Sequence, residues 1–156
     1  MEERSKYNVG KSPKDIEKRT FDGITFDSVL EMRYYRDVLR PAVESGDVVQ
    51  YELQKKYELQ PGFMRNGKRV LPIVYVADFY IEYADGRVAV VDTKGCPDRP
   101  AKMKKKMFWY QYPDVDYRWI TYVKKYGGWI DYEECQKLRK VDKRARRAQE
   151  KKECNE

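Results

Sequence analysis

Apolar positions in this chain recur with two different periods, and the changes of period divide it into elements. Over residues 28–40, "SVLEMRYYRDVLR", Ser28 followed three residues later by Glu31 is a capping-box signature, so a helix is expected to start there. Pro41 and Gly46 are expected to help end that region. The stretch "DVVQYELQKKYELQ" at 47–60 is β-branched and aromatic with partial alternation; it predicts one strand or two short ones, closed by Pro61-Gly62. Asn66-Gly67 marks a second turn. "RVLPIVYVADFYIEY" and "RVAVVDTK" then predict two strands joined across Asp85-Gly86 as a two-residue hairpin.

In "RPAKMKKKMFWYQY", residues 99–112, Met103, Met107 and Tyr110 fall at helical spacing with lysines on the remaining faces, and Pro113 is a stop. "VDYRWITYV" at 115–123 alternates as another strand. From Trp129 to Glu153 the apolar residues of a helical stretch thin out, leaving a mainly basic end that is either an exposed helix or a disordered tail. The order helix, three or four strands, helix, strand, helix predicts an α+β domain built on a mixed sheet. Residues 1–20, polar and without a sustained period, are expected to form a mobile arm, residues 21–130 the domain, and residues 131–156 the basic C-terminal helix or tail.

The chain has 156 residues, room for one domain with a core. Hydrophobic residues at 41% and charged residues at 38% give a globular body with a heavily ionised surface. The net charge of +7 favours nucleic acid or an anionic membrane surface as partner. No apolar run approaches the roughly 18 residues of a membrane span, and "MEERSKYNVGKSPKD" lacks the apolar segment of a signal peptide, so a cytoplasmic protein with no membrane partner is expected. Cys96, Cys135 and Cys154 lie far apart without CxxC spacing, which supports neither a disulfide framework nor a thiolate zinc site. There is no histidine. This removes Ser-His and Cys-His nucleophile pairs, His-ligated zinc and nucleases with a histidine base, so any hydrolysis has to run on carboxylates, lysine and metal. Neither GxGxxG nor GxxxxGKS/T occurs, and no nucleotide cofactor is expected.

Strand alternation puts Val76, Asp78, Tyr80 and Glu82 on one face of "VADFYIEY" and Ala77, Phe79, Ile81 and Tyr83 on the other. A carboxylate in the middle of a strong strand needs a cation or a metal as partner. In "VAVVDTKG" the side chains of Asp92 and Lys94 point the same way, about 7 Å apart at about 3.3 Å per residue. Symmetric pairing about Asp85-Gly86 puts Asp78 opposite position 93, within reach of both if a small bulge adjusts the register. Two acids and one lysine then converge. Adjacent carboxylates repel unless a cation intervenes, and all-oxygen ligation suits Mg2+ or Mn2+. Asp92 and Lys94 taken alone are also readable as an exposed ion pair, and Glu31 as a capping residue.

Lys104, Lys105 and Lys106 read either as a solvated helix face or as phosphate contacts beside this site. Arg144, Arg146 and Arg147 read either as part of a soluble tail or as a source of non-specific duplex affinity. Ser28 and Gln54 are candidate supports of the site, and Tyr34, Tyr35, Tyr80 and Tyr110 are expected in the core.

The pattern "ADFYIEYADGRVAVVDTKG", behind the helix "FDSVLEMRYY", resembles the PD-(D/E)xK nuclease superfamily, in which an acidic residue is followed downstream by D/E-x-K. Further segments in order, "KYNVGKS", "FDGITFDSVLEMRYY", "LQKKYELQPGF", "YVADFYIEY", "VVDTKG" and "MKKKMFWYQYPD", look like the phage-encoded Holliday junction resolvase branch of that superfamily, over about residues 6–123. The resemblance implies a restriction-endonuclease-like core and a homodimeric, structure-selective DNA endonuclease dependent on Mg2+ (or Mn2+), working in the host-cell cytoplasm. It implies Glu31 as the helix acid, holding a metal-bound water or a second metal. Asp78 and Asp92 become metal ligands together with the Thr93 backbone carbonyl, and Lys94 the catalytic lysine. This chain has "VA" in place of "PD" and Asp92 where relatives often have Glu. Branched or duplex DNA is then the partner. The alternatives are a non-catalytic DNA-binding or packaging accessory protein, and a nuclease of linear DNA ends or RNA.

Overall fold

The computed structural model of the chain describes Gly10 and residues 12–153. Of the expected N-terminal arm, residues 1–9 and 11 lie outside the described residues; Ser12 caps a short helix, α1 (Pro13–Glu17), and Thr20–Phe21 (β1) pairs with Ile24–Thr25 (β2) across Asp22-Gly23. Ser28 starts the expected helix, its hydroxyl accepting the Glu31 N–H at 3.1 Å ahead of α2 (Val29–Tyr34). The helix does not end at Pro41. It widens into a π-helical stretch, Tyr35–Leu39, and runs on as α3 (Arg40–Glu44) up to Gly46, whose φ is 82°. Pro41 has no N–H to give an α-helical turn, and the wider turn, in which the Arg40 N–H reaches the Tyr35 carbonyl, accommodates it.

The long segment after Asp47 is one strand, β3 (Val48–Gln60). A separate ribbon of β4 (Phe63–Arg65) and β5 (Lys68–Val70) follows, closed by Asn66 and Gly67 with φ 50° and 72°, the geometry of a type I′ turn. Then come β6 (Ile73–Tyr83), β7 (Val88–Thr93), helix α4 (Arg99–Gln111), β8 (Asp116–Val123), β9 (Gly128–Asp131) and helix α5 (Tyr132–Glu153). The main sheet runs β3-β6-β7-β8-β9, antiparallel except for the β7–β8 pair, which is parallel because α4 carries the chain back across the sheet. The fold is therefore α+β: a five-stranded mixed sheet flanked by helices with a C-terminal helix, consistent with a restriction-endonuclease-like core. No helix among the described residues is long and apolar enough to cross a membrane.

Each face of the sheet has its own core. Met32, Tyr34, Tyr35 and Leu39 pack with Phe79, Ile81, Ala89 and Val91 on one side; Phe108 of α4 packs with Leu59, Tyr75, Ala77, Val90, Tyr117 and Trp119 on the other. Tyr75, Ala77, Phe79 and Ile81 are all odd-numbered, so strict alternation would give them one face. They occupy two. The switch falls at Asp78, and β3 switches at the opposite position: Tyr51 and Leu53 belong to the first core, Tyr57 and Leu59 to the second. Leu53 pairs with Phe79 and Lys55 with Ala77, which sets Gln54 against Asp78, and Gln54 has a left-handed φ of 55°. One residue out of extended geometry turns the two-stranded ribbon over.

The hairpin between β6 and β7 also differs from expectation. The Gly86 N–H bonds the Tyr83 carbonyl, the Tyr83 N–H bonds the Arg87 carbonyl, and Gly86 has φ 84°, so the turn has three residues, Ala84–Gly86, and not two. Phe79 pairs with Val91 and Tyr80 with Val90, a register that sets Asp78 against Asp92. On α4 the buried stripe is Lys105 and Phe108; Met103 and Tyr110 are exposed, so Tyr110 is not a core residue.

Candidate active site

Asp78 at the face switch, Thr93 at the end of β7, Lys94 just beyond it and Glu31 in the first turn of α2 meet at one cleft, and Asp92, also at the end of β7, is buried behind Lys94. Ser28, Glu31, Asp78, Thr93, Lys94 and Lys104 are among its lining, and its volume is about 520 Å³. Asp92 is fully buried: its Oδ1 accepts the Asp78 N–H at 3.0 Å, and its Oδ2, with no aligned hydrogen bond among the described residues, lies 2.7 Å from the Lys94 ammonium. Asp78 Oδ2 accepts the Thr93 N–H at 2.8 Å and the Thr93 hydroxyl at 3.0 Å. Glu31 is 3% exposed; Ser28 Oγ donates to its Oε1 at 2.9 Å, while its buried Oε2 has no hydrogen-bond partner among the described residues. Glu31 thus departs from a simple capping residue, since its carboxylate is turned into the cleft that Ser28 helps to line.

Three buried carboxyls face one close ammonium, and the acidities of Glu31 and Asp78 respond. Burial above all, opposed by the Ser28 hydrogen bond and reinforced by the charges of Asp27 and Asp92, raises Glu31 from 4.5 to about 7. Burial, then Asp92 and Glu31, hold Asp78 well above the usual carboxylate range, against the opposing pull of Lys94 and the Thr93 N–H. A further partner lies behind Asp92. The Trp119 indole N–H donates to Tyr117 Oη at 2.6 Å, and Tyr117 Oη donates to Tyr75 Oη at 2.7 Å, forming a buried chain that ends beside Asp92. Burial first, and the Asp92 charge second, push the Tyr75 hydroxyl far up. This chain was not foreseen; the one trace of it in the sequence is the spacing of Tyr117 and Trp119, two apart on a strand and so on one face.

A divalent cation fits this donor set chemically. All the groups are hard oxygens, burial and then their mutual repulsion raise two pKa values, and one buried carboxylate oxygen lacks a partner among the described residues. Among the described residues no group of three or more acidic, histidine or cysteine side chains is already arranged to hold an ion. Both Asp92 oxygens and one of Asp78 are engaged by the Asp78 N–H, Lys94 and Thr93. Thr93, expected to offer its carbonyl, engages Asp78 through its N–H and hydroxyl.

Residues 4–128 match the family model described as "Protein of unknown function (DUF1064)". The chain belongs to the DUF1064 family. No curated protein matches it. The DUF1064 match spans Ser28, Glu31, Gln54, Asp78, Asp92, Thr93, Lys94 and Lys104–Lys106, and stops before Arg144, Arg146 and Arg147.

The structure separates the three lysines of α4 within this DUF1064 chain. Lys104 lines the cleft, with its ammonium donating to the Val74 carbonyl at 2.8 Å, and Lys106 is exposed. Lys105 is 5% exposed: it pairs with Glu133 of α5 and sits 4.1 Å from the Trp119 ring centre and 4.8 Å from that of Trp109. Its charge is therefore committed inside the fold, where it ties α4 to α5, and it does not join Lys104 or Lys106 at the surface. Gln54 is exposed and lies outside the cleft lining; its part in the site is its backbone, which turns the ribbon opposite Asp78. Arg144, Arg146 and Arg147 are exposed on the distal half of α5, beyond Asp142, which accepts the Tyr126 hydroxyl at 2.6 Å and pairs with Lys125; Arg146 lies 3.4 Å from Glu150.

Proposed function

We propose that the chain is a DNA endonuclease that depends on a divalent metal ion and acts on branched DNA as a homodimer. The observation that carries this reading is the meeting of Glu31, Asp78 and Lys94 at one cleft, with Asp92 buried behind it against Lys94 and a buried Glu31 oxygen left without a hydrogen bond among the described residues. Glu31, Asp78 and Asp92, with the Thr93 carbonyl, would hold Mg2+ or Mn2+, which when bound supplies Lewis-acid neutralisation of charge at phosphorus. Thr93 fixes the orientation of Asp78, and the Asp78 N–H fixes that of Asp92. Lys94, held by Asp92, places a cation where negative charge develops on the phosphate, and Lys104 adds a second at the cleft wall. Arg144, Arg146 and Arg147 on the projecting part of α5 add sequence-independent attraction for a duplex arm.

Branched DNA is the substrate that the resemblance to the junction resolvases implies, and paired nicks across a junction call for two copies of the site, the arrangement of a two-fold dimer. The test is a gel assay of end-labelled four-way junction and matched linear duplex, each incubated with Mg2+ or with EDTA. Paired nicks confined to the junction and to the Mg2+ lanes are expected. Retardation of both DNAs without cleavage under either condition would make the chain a DNA-binding module and the carboxylates structural.

A further inference from the structure

Beyond the cleft, β3 and α4 bound a second depression of about 440 Å³, whose walls include Gln60 and Pro61 at the end of β3 and Lys106, Met107, Tyr110 and Gln111 on α4. It lies further along α4 from the cleft. Ala101 and Lys104 line the cleft, and Met107 and Gln111 follow Lys104 along the same side of the helix, about 4.5 and 10 Å further at about 1.5 Å per residue. On the strand side Gln60 pairs with Ile73, the neighbour of the cleft residue Val74. A polymer leaving the cleft in this direction enters the depression after one or two nucleotide lengths.

The chemistry of this surface is aromatic and cationic. Tyr110 is 86% exposed, and Met103 and Trp109 are also exposed on α4, which carries the exposed Lys102 and Lys106 as well. The β4–β5 ribbon rises from the rim two residues after Pro61 and carries exposed Phe63 and Met64 with Arg65, Lys68 and Arg69; no acidic residue occurs from Pro61 to Pro72. Among the described residues none of Arg65, Lys68, Arg69 and Lys106 is in a salt bridge. Exposed apolar area alone would suit a protein partner equally well, but four unpaired cations with no acid among them favour a polyanion.

We propose that this depression binds an unpaired nucleotide of the DNA, its base stacked on Tyr110. The side-chain amides of Gln60 and Gln111 offer donors and acceptors to the base edge, and Lys106 and the ribbon cations meet the phosphates. The inference rests on the nuclease reading above and deepens it: the feature of branched DNA recognised would be bases freed from the stack beside the bond to be cut.

The test measures binding of the full chain in EDTA, by fluorescence anisotropy, to a fully paired duplex and to the same duplex with a three-nucleotide unpaired gap. Gapped DNA is expected to bind about tenfold tighter, the scale of one base on one ring. Tyr110→Ala is expected to remove that preference while leaving paired-duplex affinity unchanged, and Tyr110→Phe to retain it. Equal affinity of the wild type for both DNAs, or an equal loss on both in Tyr110→Ala, would overturn the inference while leaving the nuclease reading standing. Failure to bind either DNA would sink the nuclease reading itself. Light scattering completes the test: a change of oligomeric state in Tyr110→Ala would make this face a protein interface and end the proposal.

Discussion

Asp78 and Asp92 hold each other through the backbone. Asp92 Oδ1 accepts the Asp78 N–H at 3.0 Å, and Asp78 Oδ2 accepts the N–H of Thr93, the next residue after Asp92, at 2.8 Å. Each carboxylate fixes the strand that carries the other, so charge and architecture can be separated only by an isosteric change. Asp92→Asn keeps an oxygen for the Asp78 N–H and removes the charge. It is expected to fold, to bind junction DNA like the wild type, and to lose at least about a hundredfold in cleavage. Asp92→Ala also leaves a buried N–H without an acceptor and is expected to lose about 1–3 kcal/mol of stability besides. Cleavage at the wild-type rate by Asp92→Asn would assign Asp92 to structure alone.

Glu31 gives the metal-free protein a pH dependence. Its carboxyl titrates at about 7 in the fold against 4.5 in the unfolded chain, so between these values the folded state keeps a proton that the unfolded state has released. Stability therefore falls as pH rises through this window. In EDTA the wild type is expected to be roughly 2–3 kcal/mol less stable near pH 8 than near pH 5 through this group, and Glu31→Gln to lack that slope. Urea unfolding at the two pH values measures it; parallel curves for the two proteins would place Glu31 outside the coupled cluster.

Gln54 stands at a left-handed φ of 55° where the β3–β6 ribbon turns over. Glycine occupies that conformation without penalty, whereas a β-branched side chain does not. Gln54→Gly is expected to hold stability or gain up to about 1 kcal/mol, and Gln54→Val to lose about 1–3 kcal/mol. Because Asp78 lies opposite, the valine variant is also expected to lose activity at temperatures where it remains folded. Thermal melts and the junction assay on both variants decide it; a stabilised Gln54→Val would contradict the reading of this position.

Lys105 and the α5 arginines carry the same charge in different settings. Lys105→Met removes a cation held between two indoles and Glu133 and is expected to cost about 2 kcal/mol of stability with no change in the salt dependence of DNA binding. Replacing Arg144, Arg146 and Arg147 together by Gln is expected to leave the melting temperature unchanged and to lower the slope of log affinity against log salt by about 2–3. A salt slope that moves with Lys105 and not with the arginines would reverse these assignments.

What the sequence made legible is local chemistry. Ser28 and Glu31 announce their helix because a cap is built from neighbours, and Asp78, Asp92 and Lys94 announce a cluster because a turn makes their strands adjacent. The face switch was not legible, since the odd-numbered positions of β6 keep their apolar character through it and only pairing with β3 shows that they serve two cores. Lys105 was hidden for another reason. Three consecutive lysines read as one solvated face, but a helix turns about 100° per residue, and the long lysine stem can lie along apolar surface. Tyr110 was misplaced by the same helix, whose buried stripe passes through Lys105 and Phe108.

The turn at Ala84–Gly86 makes chain length itself a constraint. One residue more or fewer there would slide β6 against β7, move Asp78 away from Asp92 and present the strand's other side chains to each core. The Asn66-Gly67 tip closes a ribbon that pairs with itself and not with the main sheet, so residues added there would change no register in the site. Length polymorphism among functional variants should therefore collect at the ribbon tip and be absent from the other turn, and a reporter peptide belongs in the first and not the second.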